Sequence, residues 1–384
     1  MTKTSIFSNC WFLLGILTIG FAPFVFAQSE LANKSSSLSH AADSLLQRVV
    51  DLEEHVGISA GLYVEGNHMW SHGVGLQDRK NKIPASAEMI HRIASISKSM
   101  TAVAVLQLVE QGKVDLDAPI QTYVPEFPPK AEGEITVRQI LTHTSGIRHY
   151  KGMLDMISFK QYPNLLSAMK KFQKRDLVGK PGEVYHYTTY GYVVLGVLIE
   201  QLSGLSYSDY MTQYIWKPSG MQHTSVETKE SFSDPNKSGL YRITDKGTFK
   251  KDPRTNLSVK IPGGGIQSTA ADLLLFGKAI IEHRLLKPES MKQMLVDPGI
   301  REGGNPYGMG WFLYQNDENG LIIGHSGSQA GTCSQLLIVP EKGVVASVIS
   351  NTRNQWPEVI GLCSQLMKLG IASIEEADPA SSDK

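Results

Sequence analysis

Ser95 and Lys98 lie three residues apart in "RIASISKSM" (92–100), a pairing that could make a nucleophile. A serine hydroxyl attacks a carbonyl only when a base removes its proton, and a lysine amine serves when desolvation lowers its pKa. If a helix begins at Ser95, the two side chains share a face with Cβ atoms about 5–6 Å apart, within reach of each other. The apolar run Met100, Ala102, Val103, Val105 and Leu106 would bury that helix. Free N–H groups in its first turn would favour a developing oxyanion. An ordinary helix cap followed by an exposed lysine gives the same tetrapeptide, so context must sort the matches. S-x-x-K recurs at Ser167 in "SAMK" and at Ser381 in "SSDK". Ser167 stands beside the paired lysines of a solvated helix face and Ser381 in a polar tail, which leaves Ser95 as the candidate.

Two further stretches could complete a site. Tyr187 in "GEVYHYTTYGY" precedes a strongly apolar helix, and a tyrosine against a lysine can pass a proton between nucleophile and leaving group. Core packing is the alternative reading, since Tyr185, Tyr190 and Tyr192 surround it. His325-Ser326-Gly327 ends an apolar strand, where glycine lets a ligand approach the backbone. The H-x-G tripeptide also occurs at His55-Val56-Gly57. His143 in "LTHTSG" reads as a structural residue near a helix end. His68 and His72 are four apart on a strand-like stretch with no third ligand nearby, so neither a metal site nor a cofactor is expected.

Strand-like segments cluster at the two ends of the chain. "GISAGLYVEG" and "HMWSHGVG" follow the helical spacing of "AADSLLQRVVDLEEH", while "LIIGHSG", "CSQLLIVPE" and "GVVASVIS" precede the closing helix "QWPEVIGLCSQLMKLG". The middle is mostly helical: "SKSMTAVAVLQLVEQGK" stops at Gly112, "TVRQILTHTSG" at Gly146, and "STAADLLLFGKAIIEH" opens with a Thr269/Asp272 capping pair. The expectation is an α/β (α+β) fold. One antiparallel sheet, built from about 40–94 and 305–370, is flanked by N- and C-terminal helices and interrupted by a helical part at about 95–300. No fixed-period repeat points to a solenoid or propeller.

Composition bounds the partners. The chain has 384 residues, 41% hydrophobic and 19% charged, with 37 basic and 37 acidic residues, so no net field recruits nucleic acid or an anionic membrane. A small molecule or peptide is the expected partner. Lys3 and the apolar run Trp11–Ala27, ending in Val25-Phe26-Ala27, read as a signal peptide over 1–27, with no stable membrane span after its removal and a periplasmic or secreted product. A permanent anchor is the competing reading of that run. Residues 28–39 read as a flexible lead-in and 371–384 as a disordered tail. Cleavage would remove Cys10, leaving Cys333 and Cys363, expected as two buried thiols, with pairing in an oxidising compartment as the alternative.

The order Ser95-x-x-Lys98, Tyr187, His325-x-Gly327 resembles the serine β-lactamase and penicillin-binding protein superfamily, in the branch of class C enzymes, esterases and D-aminopeptidases. "HRIASISKSMTAVAVLQLVEQGKVDLDAPI", "LTHTSGI", "YGYVVLG", "PGGGIQSTAADLLLFGKA" and "YGMGW" extend the resemblance over roughly 40–370. "SISKSMT" and "VPEFPPK...SGIRHY" are most similar to the mitochondrial serine β-lactamase-like branch and its bacterial relatives. The resemblance implies a β-lactamase/transpeptidase-like hydrolase domain over 40–370. In it Ser95 is acylated, Lys98 is its base partner, Tyr187 shuttles the proton, and the N–H groups of Ser95 and Ser328 form the oxyanion hole. His325 takes the place of a lysine that usually opens the third motif.

Two departures bear on substrate. Thr189 stands where the family usually has asparagine, and it lacks the amide donor that holds a substrate carbonyl. An imidazole with an ordinary pKa near 6.5 is largely neutral at pH 7, so His325 does not replace the lysine's constant charge. Esters or peptides are therefore expected over β-lactams. The function read from the sequence is an exported serine hydrolase acting through an acyl-enzyme. The alternatives are a non-hydrolytic binding or scaffold protein of the same fold, or a true β-lactamase.

Overall fold

The computed structural model describes residues 36–49, 55–66, 68–300, 304–316 and 318–376. The apolar leader 1–27, Cys10 and Ser381 lie outside the described residues. Helix α1 (36–49) starts inside the segment expected as a lead-in, because Leu38, Ala42 and Leu46 pack into a buried cluster. The closing helix likewise runs past residue 370 to Glu375, into the expected tail: Ile371 is buried and Ile374 packs beside it.

Seven strands form one antiparallel sheet: β1 (Gly57–Val64), β2 (His68–Asp78), β3 (Ile83–Pro84), β4 (Phe312–Asn316), β5 (Gly320–Gln329), β6 (Thr332–Val339) and β7 (Val344–Ser350). Their order is β3-β2-β1-β7-β6-β5-β4, so the two ends of the chain meet where β1 pairs with β7, Ile58 opposite Ser350. Period-two alternation gives the sheet two apolar faces. Ala60, Leu62 and Val64 face α1 and the closing helix α5 (Trp356–Glu375), together with Ala346 and Val348. Tyr63, Val345 and Ile349 face the other way, toward Leu273, Phe276 and Ile280 of α4 (Ala270–Ile281). Thr269 caps α4 by accepting from the Asp272 amide. The Asp272 carboxylate turns away to His223 and Thr224, so only half of the anticipated capping box forms.

The middle of the chain packs against this second face. Its axis is α2 (Ser97–Glu110), buried on nearly every side from Ser97 to Leu108, beside the equally buried α3 (Thr189–Ser203). A helix apolar all round belongs in a core. The region is not purely helical: His91–Arg92, Ser225–Val226 and Ile266–Ser268 make one small sheet, and Tyr241–Ile243, Phe249–Lys251 and Thr352–Arg353 another. Such short strands carry too few residues for alternation to be read from sequence. Cys333 and Cys363 are free and buried.

Candidate active site

Ser95 sits in a single 3₁₀ turn (Ala94–Ile96) that runs directly into α2. Ala94 has φ +48°, a left-handed conformation that costs a non-glycine residue on the order of 1–3 kcal/mol and must be held by its surroundings. The hold comes from β6. Thr332 Oγ1 donates to the Arg92 carbonyl at 2.7 Å and Ser334 Oγ to the Ile93 carbonyl at 2.9 Å. Arg92 itself is fully buried, bound to Glu227 at 2.7 Å and donating to the carbonyls of Thr255 and Ala330. The segment ahead of the nucleophile is thus pinned to the strand that passes beneath it.

Lys98 is 0% exposed, and its Nζ lies 3.0 Å from Ser95 Oγ, 3.2 Å from Thr189 Oγ1 and 2.7 Å from the Gly263 carbonyl. Desolvation, with the charge of Lys260 second, pulls its pKa well below the ordinary 10.5. A carbonyl only accepts, so one amine hydrogen is committed to Gly263. In the neutral amine the second goes to Thr189 and the lone pair is left for the Ser95 hydroxyl. Tyr187 hydrogen-bonds Ser95 from the other side, and its ring lies 4.7 Å from Lys98 Nζ. Burial pushes the Tyr187 hydroxyl up, so it is a donor at neutral pH.

The start of α3 fixes this tyrosine. Thr188 caps the helix by accepting from the Gly191 amide. The amides of Thr188 and Thr189 donate to Nδ1 of His143 and His149. His143 is buried among Tyr187, Tyr192 and Tyr307. Thr189 lines the cleft, and its hydroxyl is shared between Lys98 and Tyr150.

Strand β5 forms the opposite wall. It pairs with β4 only as far as Gly324, so the edge beyond, carrying Ser326 and Ser328, is open to the cleft. Gly327 is required: a Cβ there would stand 2.4 Å from the Ile93 carbonyl oxygen and 2.9 Å from the Ser95 amide nitrogen. His325 is 1% exposed, with Nδ1 2.6 Å from the Ser326 carbonyl and Nε2 3.1 Å from the Tyr307 hydroxyl. Because the carbonyl must accept, Nδ1 carries the proton and Nε2 accepts from Tyr307. Burial, then Lys98, lowers the ring's pKa to about 3. His325 is a neutral, anchored ring.

The other motif matches fall elsewhere. His55 Nδ1 bonds Ser350 in the core, and the Ser167 hydroxyl is bound to Asn164 on an exposed helical turn.

Ser95, Tyr187, Thr189, His325, Ser326 and Ser328 line a cleft of about 330 Å³. Sequence reasoning missed Tyr150, His149 and Lys260 in its wall. Lys260 stands two residues before the "PGGG" stretch that begins at Pro262, a lysine among apolar and glycine residues, and that setting was the available signal.

A family model described as Beta-lactamase matches residues 42–360. The mitochondrial serine beta-lactamase-like protein LACTB of Homo sapiens is 30% identical, over 85% of this chain and 78% of that protein. Penicillin-binding protein 4* of Bacillus subtilis is 28% identical, over 71% of this chain and 63% of its own length. The solved D-amino acid amidase from Ochrobactrum anthropi superposes with a TM-score of 0.74 at 26% identity, covering 89% of this chain and 99% of that one. An octameric penicillin-binding protein homologue from Pyrococcus abyssi gives 0.74 at 28% identity, covering 86% and 77%.

Proposed function

The chain belongs to the Beta-lactamase family, and from that premise we propose that it is a serine hydrolase whose Ser95 takes an acyl group from an ester or amide. The observation that carries this reading is the buried Lys98 amine 3.0 Å from Ser95 Oγ. Neutral Lys98 accepts the Ser95 proton as Oγ bonds to the substrate carbonyl carbon. The oxyanion that forms faces the N–H groups of Ser95 and Ser328. As the scissile C–O or C–N bond breaks, Tyr187 gives its proton to the leaving atom and regains one from the Lys98 ammonium. Water then loses a proton to the same pair and displaces Ser95, releasing the acid.

A fluorophosphonate probe tests the assignment. The wild type should be labelled and hydrolyse a nitrophenyl ester, while Ser95→Ala should do neither. Equal labelling of both proteins would overturn it, and an absence of any Ser95-dependent chemistry would leave the non-hydrolytic reading.

The same proposal includes export, supported by the apolar run ending in Val25-Phe26-Ala27. Among the described residues, no helix is long and apolar enough to cross a membrane. Mass spectrometry of the purified product should find a chain beginning near Gln28. An intact chain with Met1 in the soluble cytoplasm would refute export.

A further inference from the structure

Lys260 is 6% exposed and lines the cleft together with Tyr150, Gly263 and Gln329. Its Nζ donates to no acceptor among the described residues, and it lies 5.5 Å from the centre of the Tyr150 ring. Facing it are Lys98, His149, Tyr150, Arg92, Lys171 and Glu227. The one carboxylate in that set is already taken: Glu227 is bound by Arg92 at 2.7 Å and by Lys237 at 2.8 Å. A buried ammonium with no counter-ion is costly, and supplying an anion removes much of that cost. Burial, with Arg92 and Lys171 adding to it, lowers its pKa to about 7, so the charged form remains accessible near neutrality.

The rest of the wall has a matching bias. Among the described residues, no aspartate or glutamate lines the cleft. An adjoining cavity of about 270 Å³ shares Met156, Lys260 and Gln329 with it and adds Arg242 and Arg353 against a single carboxylate, Asp252. Asp252 is 3.1 Å from Arg353 and 3.6 Å from Arg242, which leaves the pair of cavities net positive. His325 supplies none of that charge, since its ring is neutral and fully bonded.

We propose that Lys260 is the anion-binding residue of this cleft, and that the preferred substrates are acyl compounds whose acyl chain carries a free carboxylate. The proposal rests on the serine hydrolase reading and adds the substrate class to it. A substrate carrying a free ammonium would meet Lys260 in the cleft and, in the adjoining cavity, two arginines that already hold its carboxylate, Asp252.

The test compares nitrophenyl hexanoate with mono-nitrophenyl adipate, which has the same chain length but ends in a carboxylate, and with alanine nitroanilide. In the wild type, kcat/KM for the adipate should exceed that for the hexanoate by about 10- to 100-fold, the range for one charged hydrogen bond. The nitroanilide should be the poorest of the three. The adipate preference should shrink as pH rises through about 7, and in Lys260→Met the adipate/hexanoate ratio should fall to about one. A wild-type ratio near one, or a preference that survives Lys260→Met, would overturn the anion site while leaving Ser95 labelling and the hydrolase reading intact. Calorimetry with adipate on the Ser95→Ala protein reads the site without turnover. Binding that disappears when Lys260→Met is added supports the proposal even if the hydrolase reading fails, and an absence of binding to Ser95→Ala refutes it.

Discussion

A methyl group on Gly327 would lie 2.9 Å from the amide nitrogen of Ser95, so the open edge of β5 and the nucleophile turn are in backbone contact. It would also stand 2.5 Å from Ser334 Oγ, one of the groups that hold Ile93. Gly327→Ala must therefore push the strand from the turn and spread the proposed oxyanion donors. The expected loss in kcat is about 10²–10³-fold, the worth of a displaced oxyanion donor. Ester kinetics check it, and a variant with wild-type kcat would show that the two backbones need not touch.

Lys98→Met should lower turnover by about 10²–10⁴-fold, the usual contribution of a general base. The fold should persist, because the replacement fills the same buried space without a charge. Lys98 must be neutral to accept a proton, and burial lowers its pKa well below 10.5. Activity on a neutral ester should thus rise with pH through that lowered value, and the rise should be missing from the residual activity of Lys98→Met. An unchanged pH profile in the variant would take Lys98 out of the mechanism.

Lys260→Met should stabilise the protein, most of all at pH 7 and below. Between the folded pKa of about 7 and the ordinary 10.5, the unfolded chain binds more protons than the folded one, so this lysine's contribution to stability rises with pH. The slope is roughly 1.4 kcal/mol per pH unit across that window. Thermal unfolding of both proteins at pH 6 and pH 10 should show the Tm gain shrinking at the higher pH. A gain that grows with pH would contradict the assignment.

Arg92→Leu should destabilise the fold by about 3 kcal/mol, since it removes one of the two cations that hold the buried Glu227, leaving only Lys237, and strips donors from two carbonyls. Arg92 is 0% exposed, and it donates to Glu227 and to the carbonyls of Thr255 and Ala330. Arg92→Lys should recover little, because an ammonium cannot reproduce the planar fork. Urea unfolding measures both variants. A loss under 1 kcal/mol for either would show that the network is dispensable.

β-Lactams should be poor substrates beside small esters. Thr189 has no side-chain amide, and its hydroxyl is occupied by Lys98 and Tyr150. One missing hydrogen bond to the transition state costs about 1–3 kcal/mol, or roughly 10- to 100-fold in kcat/KM. The comparison is a chromogenic cephalosporin against a nitrophenyl ester, each with Ser95→Ala as background. A cephalosporin preferred by a wide margin would reverse the inference from Thr189.

By itself, the sequence determined the features that depend on short-range geometry. Ser95 and Lys98 could be paired because residues three apart share a helix face whatever the remainder of the chain does. Apolar periodicity marked β1, β2, β5, β6, β7 and both flanking helices, and the break at Gly327 marked a strand that something approaches. The seven-strand order, with β1 beside β7, needed the folded chain, since pairing across hundreds of residues leaves no local trace.

Tertiary structure alone decided the electrostatics of the site. Lys98 is a buried amine beside Ser95, and not the exposed lysine of an ordinary cap, because α3 and the Gly263 turn close over it and remove its water. Thr189 lines the cleft as expected of a substrate-facing residue, and the start of α3 also directs its hydroxyl at Lys98, a contact that the sequence did not display. His325 is held neutral by burial and by the charge of Lys98, and its ring is anchored by Tyr307, a pairing between residues eighteen apart that no tripeptide encodes. Lys260 carried no motif: its significance comes from burial without a counter-ion, and desolvation is a property of everything packed around a group, which a linear sequence does not display.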